Sequence, residues 1–138
     1  MKELTKAALA WLDDEYMRYT KINHDIAVRK LEIEHPWKPN DDNIGGGRSS
    51  VITRPQESLV LKYDQDRVIN RLIQLQREVD AAKRHMDAEQ LKIFEMRYIG
   101  TNYYDWDTIG SLLHYAHTPI YRKRYKLLEL LAEEKGII

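Results

Sequence analysis

The six glycines and four prolines of the chain all fall between Pro36 and Pro55 or after residue 99. Two long stretches, 3–34 and 56–85, therefore lack both of the residues that most strongly interrupt a helix. In the first, apolar residues recur at Leu4, Ala8, Trp11, Tyr19, Ile22, Ile26 and Ile33, in steps built from threes and fours. This spacing predicts one long amphipathic helix, with Asp13, Asp14, Arg18, Lys21, Asp25 and Glu32 on its polar side. It ends at His35-Pro36, because proline disfavours the helical conformation in the residue before it. In the second, Leu61, Gln65, Val68, Leu72, Leu75, Val79, Ala82 and Met86 alternate by fours and threes, a heptad-like seam. Val60, Ile69 and Ile73 form a second apolar set beside it. Packing against the first helix and self-association through residues 56–86 both fit this pattern.

Between these stretches, residues 36–55 are rich in Pro, Asn, Asp, Gly and Ser and read as a long loop. Trp37 and Ile44 are apolar residues within it, which predicts that part of the loop folds back on the helices. The segment 87–138 reads as three shorter helices. Asp87-Ala88-Glu89-Gln90 has the form of a capping box, and Leu91, Phe94 and Tyr98 point one face inward before Gly100 stops the helix. Asp105 caps the next helix, which runs through Leu112-Leu113, and Thr118-Pro119 reads as N-cap and first position of the last, which continues to Lys135-Gly136. No stretch shows sustained strand alternation, so the fold class is all-α: long N-terminal helices, a Pro/Gly-rich loop and a C-terminal helix-turn-helix.

Charge sharpens the reading of the last helix. Lys+Arg and Asp+Glu are both 22, so any acidic partner must be met by a local patch and not by the chain as a whole. Arg122, Lys123, Arg124 and Lys126 supply such a patch, with no acid between Asp107 and Glu129. Ile109, Leu113 and Ile120 supply a small core that Leu127, Leu128 and Leu131 close, and with Ile120 facing it a turn of 100° per residue places Thr118, Arg122, Tyr125, Lys126 and Glu129 on the outward arc. A basic, exposed helix after a tight turn suits the major groove, where Arg binds guanine through two hydrogen bonds and Lys neutralises phosphate. Tyr121 and Tyr125 fit backbone or thymine-methyl contacts. A solvated charged face and a protein-interaction module are the alternatives to this DNA reading.

The stretch from Leu91 to Leu131 also resembles region four of bacterial primary sigma factors, on Phe94-Glu95-Met96-Arg97-Tyr98, Ile109-Gly110, Leu113, Ile120 and Leu127-Leu128. Preceded by a long helix and by Pro36-Trp37-Lys38-Pro39-Asn40-Asp41-Asp42-Asn43-Ile44-Gly45-Gly46, it resembles the RinA-type phage regulators that activate late or packaging operons. That resemblance implies a recognition helix starting near Ala116, with His117, Thr118, Tyr121 and Arg122 toward bases and Lys126 toward the backbone. It also implies double-stranded DNA and bacterial RNA polymerase as partners, in the cytoplasm of a bacterial host. Ala116 stands where region-four patterns usually carry Ser or Thr, and Pro119 removes an amide that could otherwise meet phosphate. The DNA-binding set expected from charge and resemblance together is His117, Thr118, Tyr121, Arg122, Lys123, Tyr125 and Lys126.

Other chemistry is poorly supported. The chain has no cysteine, which excludes disulfides, thiolate catalysis and Cys-ligated zinc. Mean hydropathy is −0.64 and apolar runs are short, so neither a membrane span nor a signal-peptide core is expected. Asp41-Asp42-Asn43 reads as turn chemistry, Gly45-Gly46-Gly47-Arg48-Ser49-Ser50 lacks the lysine of a phosphate-binding loop, and His114 with His117 lacks further metal ligands. No catalytic constellation, cofactor or metal site is expected, and the chain is not predicted to be an enzyme. The functional alternative to a regulator is a helical assembly or adaptor protein, such as a phage packaging or scaffold component, that binds protein through the seam and the Trp11 face.

Overall fold

The computed structural model describes residues 3–36, 55–100 and 103–138, and every regular element among them is a helix. The order is α1 (Lys6–Tyr19), α2 (Ile22–Glu34), α3 (Pro55–Gln65), α4 (Arg67–Arg84), α5 (Ala88–Tyr98), α6 (Trp106–Leu112) and α7 (His117–Lys135). The expected features of the 36–55 loop beyond Pro36, including Trp37, Asp41-Asp42-Asn43 and the glycine run, lie outside the described residues. No described helix is long and apolar enough to cross a membrane. The chain divides into two units, Met1–Ile22 with Gln74–Ile138, and Asn23–Ile73.

Both long helices expected from the sequence are interrupted, and in each case a short polar side chain does it. The first divides at Thr20-Lys21. The Thr20 hydroxyl and amide both donate to the Met17 carbonyl, at 2.7 and 3.2 Å, and the Lys21 amide turns back to Arg18 at 3.0 Å. These bonds tighten the last turn of α1 and end it without glycine or proline. The second divides at Asp66, whose carboxylate accepts the Ile69 amide at 2.9 Å and so caps the start of α4. Asn70 closes the other side by donating its side-chain amide to the Asp64 carbonyl at 3.0 Å.

Within the unit Asn23–Ile73, the same Asp66 holds α2. Arg29 reaches it in a two-pronged ion pair, Nη2 to Oδ1 at 2.8 Å and Nε to Oδ2 at 3.0 Å. The Tyr63 hydroxyl donates to Glu34, and Lys30 lies 5.0 Å over the Tyr63 ring. Ile69 and Leu72 are the large apolar residues buried in this unit among those described.

The other unit holds most of the core. Tyr16 of α1 meets Phe94 and Tyr98 of α5 at ring separations of 5.3 and 5.1 Å, and its hydroxyl donates to the Leu127 carbonyl of α7 at 2.8 Å. Val79, Ala82, Ile93, Ile109, Ile120, Leu128 and Leu131 are buried in the same unit. Asp13, expected on the polar side of the first helix, is buried too, and Trp11, expected on its apolar side, is 45% exposed, because Leu12 and Tyr16 set the inward face of α1. Asp13 receives Arg97 at 2.8 Å and the Tyr98 hydroxyl at 2.7 Å, while Arg97 also donates to the Tyr104 carbonyl at 3.0 Å. Burial and the Asp13 carboxylate push the Tyr98 phenol well up, so it remains a protonated donor. Burial opposes the Arg97 charge, but Asp13 outweighs it. At the other end of α7, Lys135 sits between Glu15 at 3.1 Å and Glu78 at 2.7 Å, with the Trp11 ring 4.8 Å away.

The helix starts follow the sequence at α5 and α6. Asp87 and Gln90 form the reciprocal capping box, and Asp105 accepts the Thr108 amide at 2.7 Å. The start of α7 lies where the resemblance implies and not where Thr118-Pro119 suggested: the N-cap is Ala116, with no side-chain bond, and Thr118-Pro119 lies inside the first turn. Proline is tolerated there because the first amides of a helix have no internal partner. The helix ends at the left-handed Gly136, as read from the sequence.

Three outcomes follow. Asp13→Ala takes the counter-charge from half-buried Arg97, leaves the buried Tyr98 hydroxyl without its acceptor and is expected to cost about 3 kcal/mol in urea unfolding. Gly110 faces the Tyr115 carbonyl, 3.0 Å from where a Cβ would stand, and Ile120 at 3.1 Å. Gly110→Val should therefore cost about 2 kcal/mol by the same assay. Asp66 is held at about 2, first by Arg29 and then by the Ile69 amide, below its ordinary 3.8. A depressed carboxylate contributes stability above its unfolded value and loses it as pH falls toward the folded one. Amide-exchange protection in α2 and α3 should decline between pH about 4 and about 2, and Asp66→Asn should remove that decline.

Candidate nucleic-acid interface

The turn between α6 and α7 sets where the basic residues stand. Leu113 ends α6, His114 takes a left-handed conformation with φ 61°, and the Tyr115 amide returns to the Gly110 carbonyl at 2.7 Å. With the His114 amide on Ser111 at 3.3 Å, this is a Schellman closure in which histidine occupies the position glycine usually fills. Gly110 lets the turn and Ile120 approach α6 closely, and Ile120 is fully buried. Leu113, expected in the small core here, is half-buried. Anchoring Ile120 fixes the rotation of α7.

With that rotation, Thr118, Arg122 and Lys126 are exposed along one line of α7. Arg122 has no ion pair among the described residues. Lys126 lies 3.7 Å from Glu129, and its side chain remains 70% exposed. Pro119 is exposed on the first turn beside Thr118.

The remaining expected residues are engaged. Lys123 contacts Glu89 of α5 at 2.5 Å and lies 4.9 Å over the Tyr115 ring, while the Tyr115 hydroxyl donates to the other Glu89 oxygen at 2.7 Å. Lys123 and Tyr115 together hold the Glu89 carboxyl below its ordinary range, and Glu89 in turn raises Lys123. This clamp joins α5, the turn and α7, and it neutralises one of the four basic charges. Tyr125 is half-buried, with its hydroxyl accepting the Leu4 amide at 3.0 Å, so it secures the N-terminal segment.

His117, Tyr121 and Arg124 form a stacked row. The His117 and Tyr121 rings are 4.3 Å apart, and the Arg124 guanidinium lies 5.7 Å from the Tyr121 ring. His117 also meets Asp107 of α6 through Nδ1 at 2.8 Å, with both side chains largely exposed. The sequence reading assigned no role to Glu89, Tyr115 or Asp107. Their partners stand 34, 26 and 10 positions away from them or on them, and no local motif marks such pairs. His114 belongs to the turn, and His117 is the histidine that meets α6. Among the described residues no group of three or more His, Cys, Asp or Glu could hold a metal ion.

No curated protein and no solved structure matches the chain. A family model described as a protein of unknown function (DUF722) matches residues 10–133, from within α1 to within α7, and the chain belongs to that family.

Proposed function

We propose that the chain is a sequence-specific, double-stranded DNA-binding transcriptional regulator in which α6, the turn and α7 act as a helix-turn-helix. The observation that carries this reading is the exposed line Thr118–Arg122–Lys126 on the first half of α7, with Arg122 unpaired among the described residues. In this reading α7 enters the major groove, Arg122 reads a base edge, and Lys126 binds phosphate. Beside the line, the exposed His117 is suited to sugar-phosphate contact, while Tyr121 and Arg124 are half-buried and the Arg124 Nε lies inside. Lys123 and Tyr125 contribute by holding α7 in place, so their roles differ from the direct contacts expected from charge. The resemblance to RinA-type regulators supports a phage late-gene activator that works with host RNA polymerase in the bacterial cytoplasm.

The test is enrichment of source-genome fragments by the purified protein at near-physiological salt, beside Arg122→Ala/Lys126→Ala. One or a few promoter-proximal sites, lost in the double variant, is the expected result. Equal, weak binding by both proteins refutes the reading. On an enriched site, Arg122→Ala should cost about 1–3 kcal/mol, whereas Lys126→Ala should lower the slope of log affinity against log salt by about 1. Glu89→Gln releases Lys123 from its clamp and should steepen the same salt dependence, measured on non-specific duplex.

A second reading, a helical assembly protein, is favoured by a different feature. The seam residues Leu72, Leu75, Val79, Ala82 and Met86 are buried, but Leu61 and Val68 remain 55% and 45% exposed, next to Val60 at 56%. The unburied end is where a second copy would pack. Leu61→Asp/Val68→Asp therefore probes assembly without damaging the core, which Leu72 or Leu75 substitutions would do. Sedimentation velocity should show an oligomer that dissociates in the double variant; a monomeric wild type removes this reading.

A further inference from the structure

The exposed line on α7 does not stay basic. Thr118, Arg122 and Lys126 are followed on the same face by Glu129 and Glu133, because steps of three and four keep one side of a helix. The acidic part borders an open groove of about 910 Å³ at the end of α7. Glu3 and Tyr125 also line it, and Ile137 and Ile138 supply apolar surface at 37% and 39% exposure. Among the described residues that line it, three carboxylates thus meet one ammonium, that of Lys126, which is already beside Glu129. Glu3 and Glu133 are exposed and have no ion pair among the described residues.

The groove has fixed walls. The Tyr125 hydroxyl holds the Leu4 amide, which places Glu3 at the rim. Gly136, left-handed at φ 73°, turns the chain out of α7, and the Ile137 amide returns to the Ala132 carbonyl at 3.1 Å. That turn sets the two isoleucines along the groove instead of continuing the helix into solvent.

We propose that this groove docks a basic amphipathic segment of a partner protein. Its apolar side chains would cover Tyr125, Ile137 and Ile138, and its Lys or Arg residues would pair with Glu3 and Glu133. Charge complementarity selects this occupant. Duplex DNA is repelled by the carboxylates, and an acidic segment meets the same repulsion. A compact cation leaves the isoleucines uncovered. The site is separate from the DNA-reading residues except at Lys126, and the inference does not depend on DNA binding.

The experiment is fluorescence anisotropy of the full chain with a labelled peptide of Lys and Leu at helical spacing, about four turns long. Counterparts of equal length carry Glu in place of Lys, or Ser in place of Leu. Saturable binding of the Lys/Leu peptide is expected, about tenfold weaker with Glu3→Lys/Glu133→Lys and about tenfold weaker for the Lys/Ser peptide. Both substituted positions are exposed, and circular dichroism checks that the helices persist. Glu133→Gln, which removes charge with little change of shape, should fall between wild type and the double variant. Equal affinity of wild type and double variant, equal affinity of the Lys/Leu and Glu/Leu peptides, or equal affinity of the Lys/Leu and Lys/Ser peptides would overturn the proposal.

Discussion

A buried carboxylate organises the larger unit. Asp13 draws Arg97 and the Tyr98 hydroxyl onto α1, and Arg97 passes the connection on to the Tyr104 carbonyl just ahead of α6. A pair of this kind yields little net stability over an apolar substitute, because removing both charges from water costs about as much as their attraction returns. Its effect is on registry. Apolar contacts around Tyr16, Phe94 and Tyr98 tolerate some sliding, whereas a guanidinium with fixed donor directions accepts only one placement of α1 against α5. The start of α6, and hence the turn and α7, inherits that placement.

The parts legible in the sequence were those with local chemistry. The Asp87–Gln90 box, the Asp105 cap and the Gly136 ending each involve residues within one turn of one another, and each forms as expected. The core positions Ile109, Ile120, Leu127, Leu128 and Leu131 were legible because helical periodicity fixes which face is apolar. The breaks at Thr20 and Asp66 were not, since apolar spacing runs through both. Each depends on a polar side chain choosing a backbone partner over solvent. Likewise Thr118-Pro119 has the composition of a helix start, yet the left-handed His114 and the anchored Ile120 set the boundary two residues earlier.

The candidate interface was legible as a charge run but not as a surface. Four basic residues within five positions looked equivalent in the sequence. In the structure Arg122 faces outward, Lys123 closes on Glu89, Arg124 lies along Tyr121, and Lys126 stands at the border with the acidic end. Their separation follows from rotation about the α7 axis and from acids far away in the chain. The same geometry explains why a neutral chain can still present a local positive field: Glu89 removes one charge at close range, while Glu129 and Glu133 are displaced along the helix.

Lys126 belongs to both ends of that line. An occupant that brings a cation to Glu129 would release the lysine from its 3.7 Å neighbour and leave it available to an anion on the other side. The two surfaces would then be thermodynamically linked through one side chain, without any movement of the backbone. Reciprocity follows: whatever factor the first ligand adds to the affinity of the second, the second must add to the first. With both surfaces occupied, competition for this one ammonium would couple the two ends of the line.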